Sequence, residues 1–142
     1  MRAAALVAVL AVAGCSSAPS DPVSATGSLE AGDASLASGE FYDEYPLMAR
    51  EGQWITVTVT TDRFDPYLIV RSPSQEQSEI DDAGGDPGTT RMSVRAGESG
   101  RWEVLVTSYA PGEIGDYTVT YHVTDSAPAG AVAPDSGETL TV

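Results

Sequence analysis

Between residues 53 and 123, apolar and polar side chains alternate with a period of two. In Gln53–Thr61 (QWITVTVTT), Ile55, Val57 and Val59 fall on one side and Thr56, Thr58 and Thr60 on the other. This is the pattern of a half-buried strand, rich in the β-branched residues that suit a pleated surface. Arg101–Tyr109 (RWEVLVTSY) sends Trp102, Val104 and Val106 inward, and Gly115–Val123 (GDYTVTYHV) sets Tyr117, Val119, Tyr121 and Val123 on one face. Tyr67–Arg71 (YLIVR) is apolar on both faces and belongs in the middle of a sheet. Weaker strands are predicted over Phe41–Ala49 and Thr90–Arg95. Turn chemistry separates these runs at Arg50-Glu51-Gly52, Ser72-Pro73-Ser74, Asp81–Gly88, Ala96–Gly100 and Ala110–Glu113. No stretch carries a helical period, and nothing repeats at the spacing of a solenoid or propeller. The pattern predicts an all-β domain over residues 27–123, an antiparallel two-sheet β-sandwich.

The two ends of the chain read differently. Met1-Arg2 precedes an unbroken apolar run of 11 residues, Ala3–Ala13 (AAALVAVLAVA). A helix needs about 20 such residues to span a bilayer, so the run has the length of a signal-peptide core. It ends in Val12-Ala13-Gly14-Cys15, which resembles the bacterial lipobox, and residues 1–14 are therefore expected to be a lipoprotein signal peptide. That resemblance implies a diacylglycerol thioether on Cys15 and cleavage after Gly14, leaving an acylated, palmitate-type anchor in the cell envelope. Ser16 rather than Asp follows the cysteine, which in a Gram-negative cell implies the outer membrane. Residues 15–26, rich in Ser, Ala and Pro, read as a flexible tether. Residues 124–142 read as a disordered tail.

Composition narrows the function. The 142 residues carry 21 Asp+Glu against 7 basic residues, for a net charge of −14, and every basic residue is arginine. Losing Arg2 with the signal peptide takes −14 to −15. Nucleic-acid binding is excluded, because phosphate recognition needs clustered basic residues. A single cysteine rules out an internal disulfide and any multi-cysteine metal site.

Several segments in order resemble the bacterial pre-peptidase C-terminal domain: Gly27–Asp33 (GSLEAGD), Gly39–Tyr45 (GEFYDEY), Glu51-Gly52-Gln53, Phe64–Val70 (FDPYLIV), Asp81-Asp82, Gly100–Val104 (GRWEV), Val106–Tyr109 (VTSY) and Gly112–Tyr117 (GEIGDY). The resemblance covers residues 27–123. It implies a jelly-roll-like sandwich that is not an enzyme but a binding module, attached to peptidases in its relatives and in some of them stabilised by calcium. Here no peptidase precedes it, and Ile80 stands where the pattern has Asn before the acid pair.

Candidate chemistry is sparse. His122, the one imidazole, shares a strand face with Thr118, Thr120 and Thr124 and is expected to face solvent, away from any nucleophile. Calcium takes six to eight hard oxygen donors. Asp43, Glu44, Asp65, Asp81, Asp82 and Asp86 are its candidate ligands, although the same acids serve equally as solvated turn residues. Trp54, Tyr42 and Tyr109 are candidate aromatic contacts for a peptide or sugar, or else pack against loops. The expected role is a lipid-anchored envelope protein presenting this sandwich to an envelope or extracellular protein, or to a glycan. The rival is an accessory lipoprotein that assists a separately encoded peptidase or export system.

Overall fold

The computed structural model describes residues 21–81 and 88–128. Cys15, Asp82, Asp86 and the signal-peptide segment lie outside the described residues. Eight strands follow one another: β1 (Val23–Leu29), β2 (Tyr42–Ala49), β3 (Trp54–Thr60), β4 (Pro66–Arg71), β5 (Gln77–Asp81), β6 (Thr89–Arg95), β7 (Gly100–Ser108) and β8 (Gly115–Thr124). They form two four-stranded sheets, β1-β8-β3-β6 and β2-β7-β4-β5, in which every neighbouring pair is antiparallel. All connections cross from one sheet to the other except the β4–β5 hairpin, which gives the strand order of a jelly roll. The all-β sandwich read from the alternation is the architecture observed.

The core follows from the same alternation. Ile55, Val57 and Val59 of β3, Val104 and Val106 of β7, Val119 of β8 and Leu68 of β4 are fully enclosed between the sheets. β4 lies inside its sheet, flanked by β7 and β5. That position explains why its outward residue Ile69 is also buried, beside the equally buried Leu105 of β7. Trp102 reaches the core as expected, with Nε1 donating to Glu98 O at 3.2 Å.

Two strands differ from the sequence reading. β1 begins at Val23, so residues 23–26, read as tether, pair with Thr118–Tyr121 of β8. β5 was not foreseen, because its sequence QSEID offers no apolar alternation; it is an edge strand held by β4 alone. At the other boundary β8 extends one residue past 123, to Thr124.

The interior is not uniformly apolar. Where the edge strands β1 and β2 face each other, Tyr45 and Tyr117 bridge the sheets with rings edge to face, centroids 6.5 Å apart. Gly27 of β1 lies directly beneath these hydroxyls. A Cβ there would overlap the Tyr117 hydroxyl and stand 2.7 Å from that of Tyr45, so this strand position accepts only glycine.

Candidate protein-binding end

At one end of the sandwich β1, β3, β5 and β7 finish, and the loops 30–41, 61–65 and 109–114 gather there with the described margin of the β5–β6 connection. These loops are braced by hydrogen bonds. Glu30 N donates to Asp33 Oδ2 (2.7 Å) while Asp33 N donates to Glu30 O (3.1 Å), closing a reciprocal turn. Thr107 Oγ1 donates to Phe41 O at 2.7 Å. Thr61 Oγ1 donates to Asp116 O (2.7 Å) and accepts from Arg63 N (3.0 Å). Tyr109 N donates to Asp65 O at 2.9 Å, tying the third loop to the second. Gly115 sits at φ +146°, and a Cβ on it would run into the Arg63 side chain, so the loops can lie against one another only with glycine there.

Acids occur at both ends, with Glu51, Glu76, Glu98 and Asp125 at the other one, but the arginines are concentrated away from this end. The loops of this end carry Glu30, Asp33, Glu40, Asp62, Asp65 and Glu113, with Asp116 at the start of β8. Arg63 is their one basic residue, 3.5 Å from Asp62. Arg50, Arg71, Arg95 and Arg101 all sit at the opposite end, where β2, β4 and β6 finish and β7 begins. Between the 61–65 loop and the first residues of β6 and β8 lies an open groove of ≈ 1010 Å³, lined by Thr61, Phe64 and Tyr117 and by the charged Asp62, Arg63, Asp65 and Asp116. Beside it the 109–114 loop projects Tyr109 and Ile114, 60% and 55% exposed. Glu113 of the same loop has its Oε2 shut off from solvent with no hydrogen-bond partner among the described residues.

Of the candidate ligands for calcium, Asp82 and Asp86 lie outside the described residues, and the described Asp43, Glu44 and Asp65 are not brought together. Asp43 and Glu44 are adjacent on a strand and so point to opposite sides of the sheet. Asp43 turns inward, where its Oδ2 accepts the Tyr117 hydroxyl at 2.5 Å. Tyr45 Oη stands 2.6 Å from Tyr117 Oη. Since Tyr117 donates to Asp43, Tyr45 must donate to Tyr117, and the chain of hydroxyls ends on a carboxylate. Burial raises the Asp43 pKa, opposed by the Tyr117 hydrogen bond. Burial first, and then the Asp43 contact, hold the Tyr117 hydroxyl far above its usual range, so it stays protonated. Glu44 points outward, 3.9 Å from Arg101. Asp65 lies in the acidic end, and the backbone of Asp81 closes β5 opposite Tyr67. Among the described residues no group of three acids could hold a metal ion.

The aromatic candidates also separate. Tyr109 is exposed as expected and Tyr42 is half-buried, but Trp54 is only 8% exposed and is not a free contact surface. Its place opposite Ile55 in the alternation marks it as outward, and alternation alone does not report what lies over an outward side chain. Ile114 was missed. Its signal in the sequence is an isolated large apolar residue inside a Gly-Glu-Ile-Gly turn, where no strand needs it.

Fold and loops together define a jelly-roll sandwich with an open, acidic, aromatic-tipped end. No family model matches the chain, and no curated protein does. Among solved structures it is similar to Aeromonas hydrophila PliG, a periplasmic lysozyme inhibitor of g-type lysozyme. The identity is 16% and the TM-score 0.51, over 72% of this chain and 86% of that one. At that identity the likeness is one of fold.

Proposed function

We propose that the protein is a lipid-anchored envelope protein whose non-catalytic sandwich recognises a cationic protein with its acidic loop end. The observation that carries this is the placement of exposed Tyr109 and Ile114 among Asp62, Asp65 and Asp116. Large side chains of this kind anchor interfaces, and a surrounding field of one sign steers an oppositely charged partner and speeds its encounter. The loops are already braced, so little ordering entropy opposes binding. The geometry of attachment agrees. β1 starts at Val23 at the opposite end, only eight residues after Cys15, so an anchor on that sulfur leaves the acidic end facing away from the bilayer. Full extension of those eight residues spans at most about 29 Å.

PliG suggests the first partner to try, a g-type lysozyme. Binding is expected to weaken about tenfold for Tyr109→Ala and for Ile114→Asp, and to fall as salt rises. Both variants binding as the parent does would overturn this assignment of the surface. Cys15→Ala is expected to move the protein from the membrane to the soluble fraction; a variant that still sediments with membranes refutes the anchor.

The resemblance to pre-peptidase C-terminal domains favours a second reading, an accessory lipoprotein for a separately encoded peptidase or export system. Crosslinking in intact cells through position 109 separates the two readings. Recovery of a single peptidase selects the second.

A further inference from the structure

The outer face of the β1-β8-β3-β6 sheet is unlike the rest of this acidic molecule. Its register aligns four threonines in one cross-strand row, Thr26, Thr118, Thr60 and Thr89. The next row is Ser24, Thr120, Thr58 and Arg91; the one after it holds His122, Thr56 and Ser93; the last is Thr124, Trp54 and Arg95. None of these four rows holds a carboxylate, in a chain with 21 acids; the carboxylate that the strands do place on this face is Asp116, opposite Ser28 and next to the threonine row. Of the six arginines in the described residues, Arg50, Arg63, Arg71 and Arg101 each have a carboxylate within 4.0 Å. Arg91 and Arg95 form no ion pair with any described residue, both are exposed, and both lie on this face.

We infer that this face, from the Ser24–Thr120–Thr58–Arg91 row to Arg95, is a binding surface for a carboxylated polysaccharide, while the Thr118–Thr60–Thr89 row beside it belongs to the acidic groove. The hydroxyls form a lattice, with steps of about 4.8 Å between strands and about 6.8 Å along them. The cross-strand step is comparable to one pyranose unit of an extended glycan. Ser24–Thr120 and Thr56–Ser93 pair their hydroxyls at 3.2 Å, and Thr60–Thr89 at 3.4 Å. Each hydroxyl has one donor and two acceptor positions, so the Ser24–Thr120 pair keeps capacity for the hydroxyls of a sugar; Thr56 is buried, and of its pair only Ser93 reaches the surface. Charge selects among glycans. Arg91 and Arg95 stand about 13 Å apart along β6, two fixed cations for carboxylates spaced along a polymer. Asp116 stands about 14 Å along β8 from Thr120, beyond the about 8 Å over which salt at physiological strength screens.

The test is binding of the full chain, in mild detergent, to alginate as a soluble carboxylated polymer, to dextran as a neutral one, and to phosphatidylglycerol vesicles. Alginate is expected to bind, and dextran about tenfold more weakly. Arg91→Ser combined with Arg95→Ser is expected to lose about tenfold for alginate, and Thr58→Glu at least as much, each with an unchanged melting temperature. The double lysine variant, Arg91→Lys with Arg95→Lys, should retain most of the binding and so excludes a folding defect. Tyr109→Ala should bind alginate as the parent does, which keeps this surface distinct from the acidic end. Absence of alginate binding at low salt, equal binding of dextran, or indifference to the double serine variant overturns the proposal. Vesicle binding without alginate binding overturns it too, assigning the face to a membrane.

Discussion

Two flanks of one interior are built by different rules. In the middle, where β3 faces β7 and β4, the space between the sheets is filled by Ile55, Val57, Leu68, Val104 and Val106, all without exposure. At the β1/β2 edge the same space holds Tyr45, Tyr117 and Asp43, joined hydroxyl to hydroxyl to carboxylate. At this edge Gly27 leaves room that the long side chains of Tyr45 and Tyr117 fill. A tyrosine carries its ring into the core and its oxygen to the rim, where a partner must exist for it. The dry flank gains stability from burial. The wet flank fixes how the edge strands sit, because one glycine, two hydroxyls and one carboxylate must meet.

This contrast sets an order of sensitivities. The largest loss is expected on the dry flank: Leu68→Ala should cost about 2–5 kcal/mol, since the surrounding strands are paired on both sides and cannot close the void. Chemical denaturation is the measurement, and a loss well under 1 kcal/mol would show that the centre is loosely packed. On the wet flank Gly27→Ala comes next, at about 1–3 kcal/mol, because the added methyl overlaps the hydroxyl ends of Tyr117 and Tyr45 and forces their hydrogen-bonded arrangement to shift. Tyr117→Phe should cost about 1–3 kcal/mol by leaving both Asp43 and Tyr45 without the hydroxyl between them. A double-mutant cycle with Tyr45→Phe sharpens the comparison: strong coupling marks one network, and additivity would mean two independent contacts.

The same contrast explains what the sequence could show. The dry flank was legible, since strict alternation in ITVTVT and in WEVLV is caused directly by the burial of one face. The wet flank was not. Between Val23 and the buried Leu29, the inward positions of β1 are the small Ala25 and Gly27, the latter lying under Tyr117 and Tyr45, and a stretch of small residues reads as linker. β5 escaped notice because an edge strand paired on one side needs little apolar sequence. Asp43 and Glu44 look like a pair along the chain, yet period two sends them to opposite faces, so a metal site assembled by adjacency could not form from them. The acidic end became visible only with the topology, which brings loops some fifty residues apart in sequence, such as 61–65 and 109–114, to one place.

The smallest expected effect decides whether the wet flank is a strut or a burden at neutral pH. Burial raises the Asp43 pKa above its ordinary 3.8, so the folded state binds this proton more tightly than the unfolded chain does. The contribution is therefore fully present below 3.8 and is lost as pH rises through the folded value. At pH 7 the ionised carboxylate is held at a cost, even though Tyr117 donates to it. Asp43→Asn keeps an oxygen that accepts the Tyr117 hydroxyl and removes the charge. It should be more stable than the parent at pH 7, by no more than about 1 kcal/mol because the group is half-open to water. The advantage should shrink as pH falls and vanish below the ordinary carboxyl range, where the parent is neutral as well. Melting curves of both proteins from pH 7 to pH 3 read this directly. An asparagine variant less stable than the parent at pH 7 would mean that the charge on Asp43 strengthens the Tyr117 bond by more than burial costs it, and the polar edge would then be a stabilising clamp.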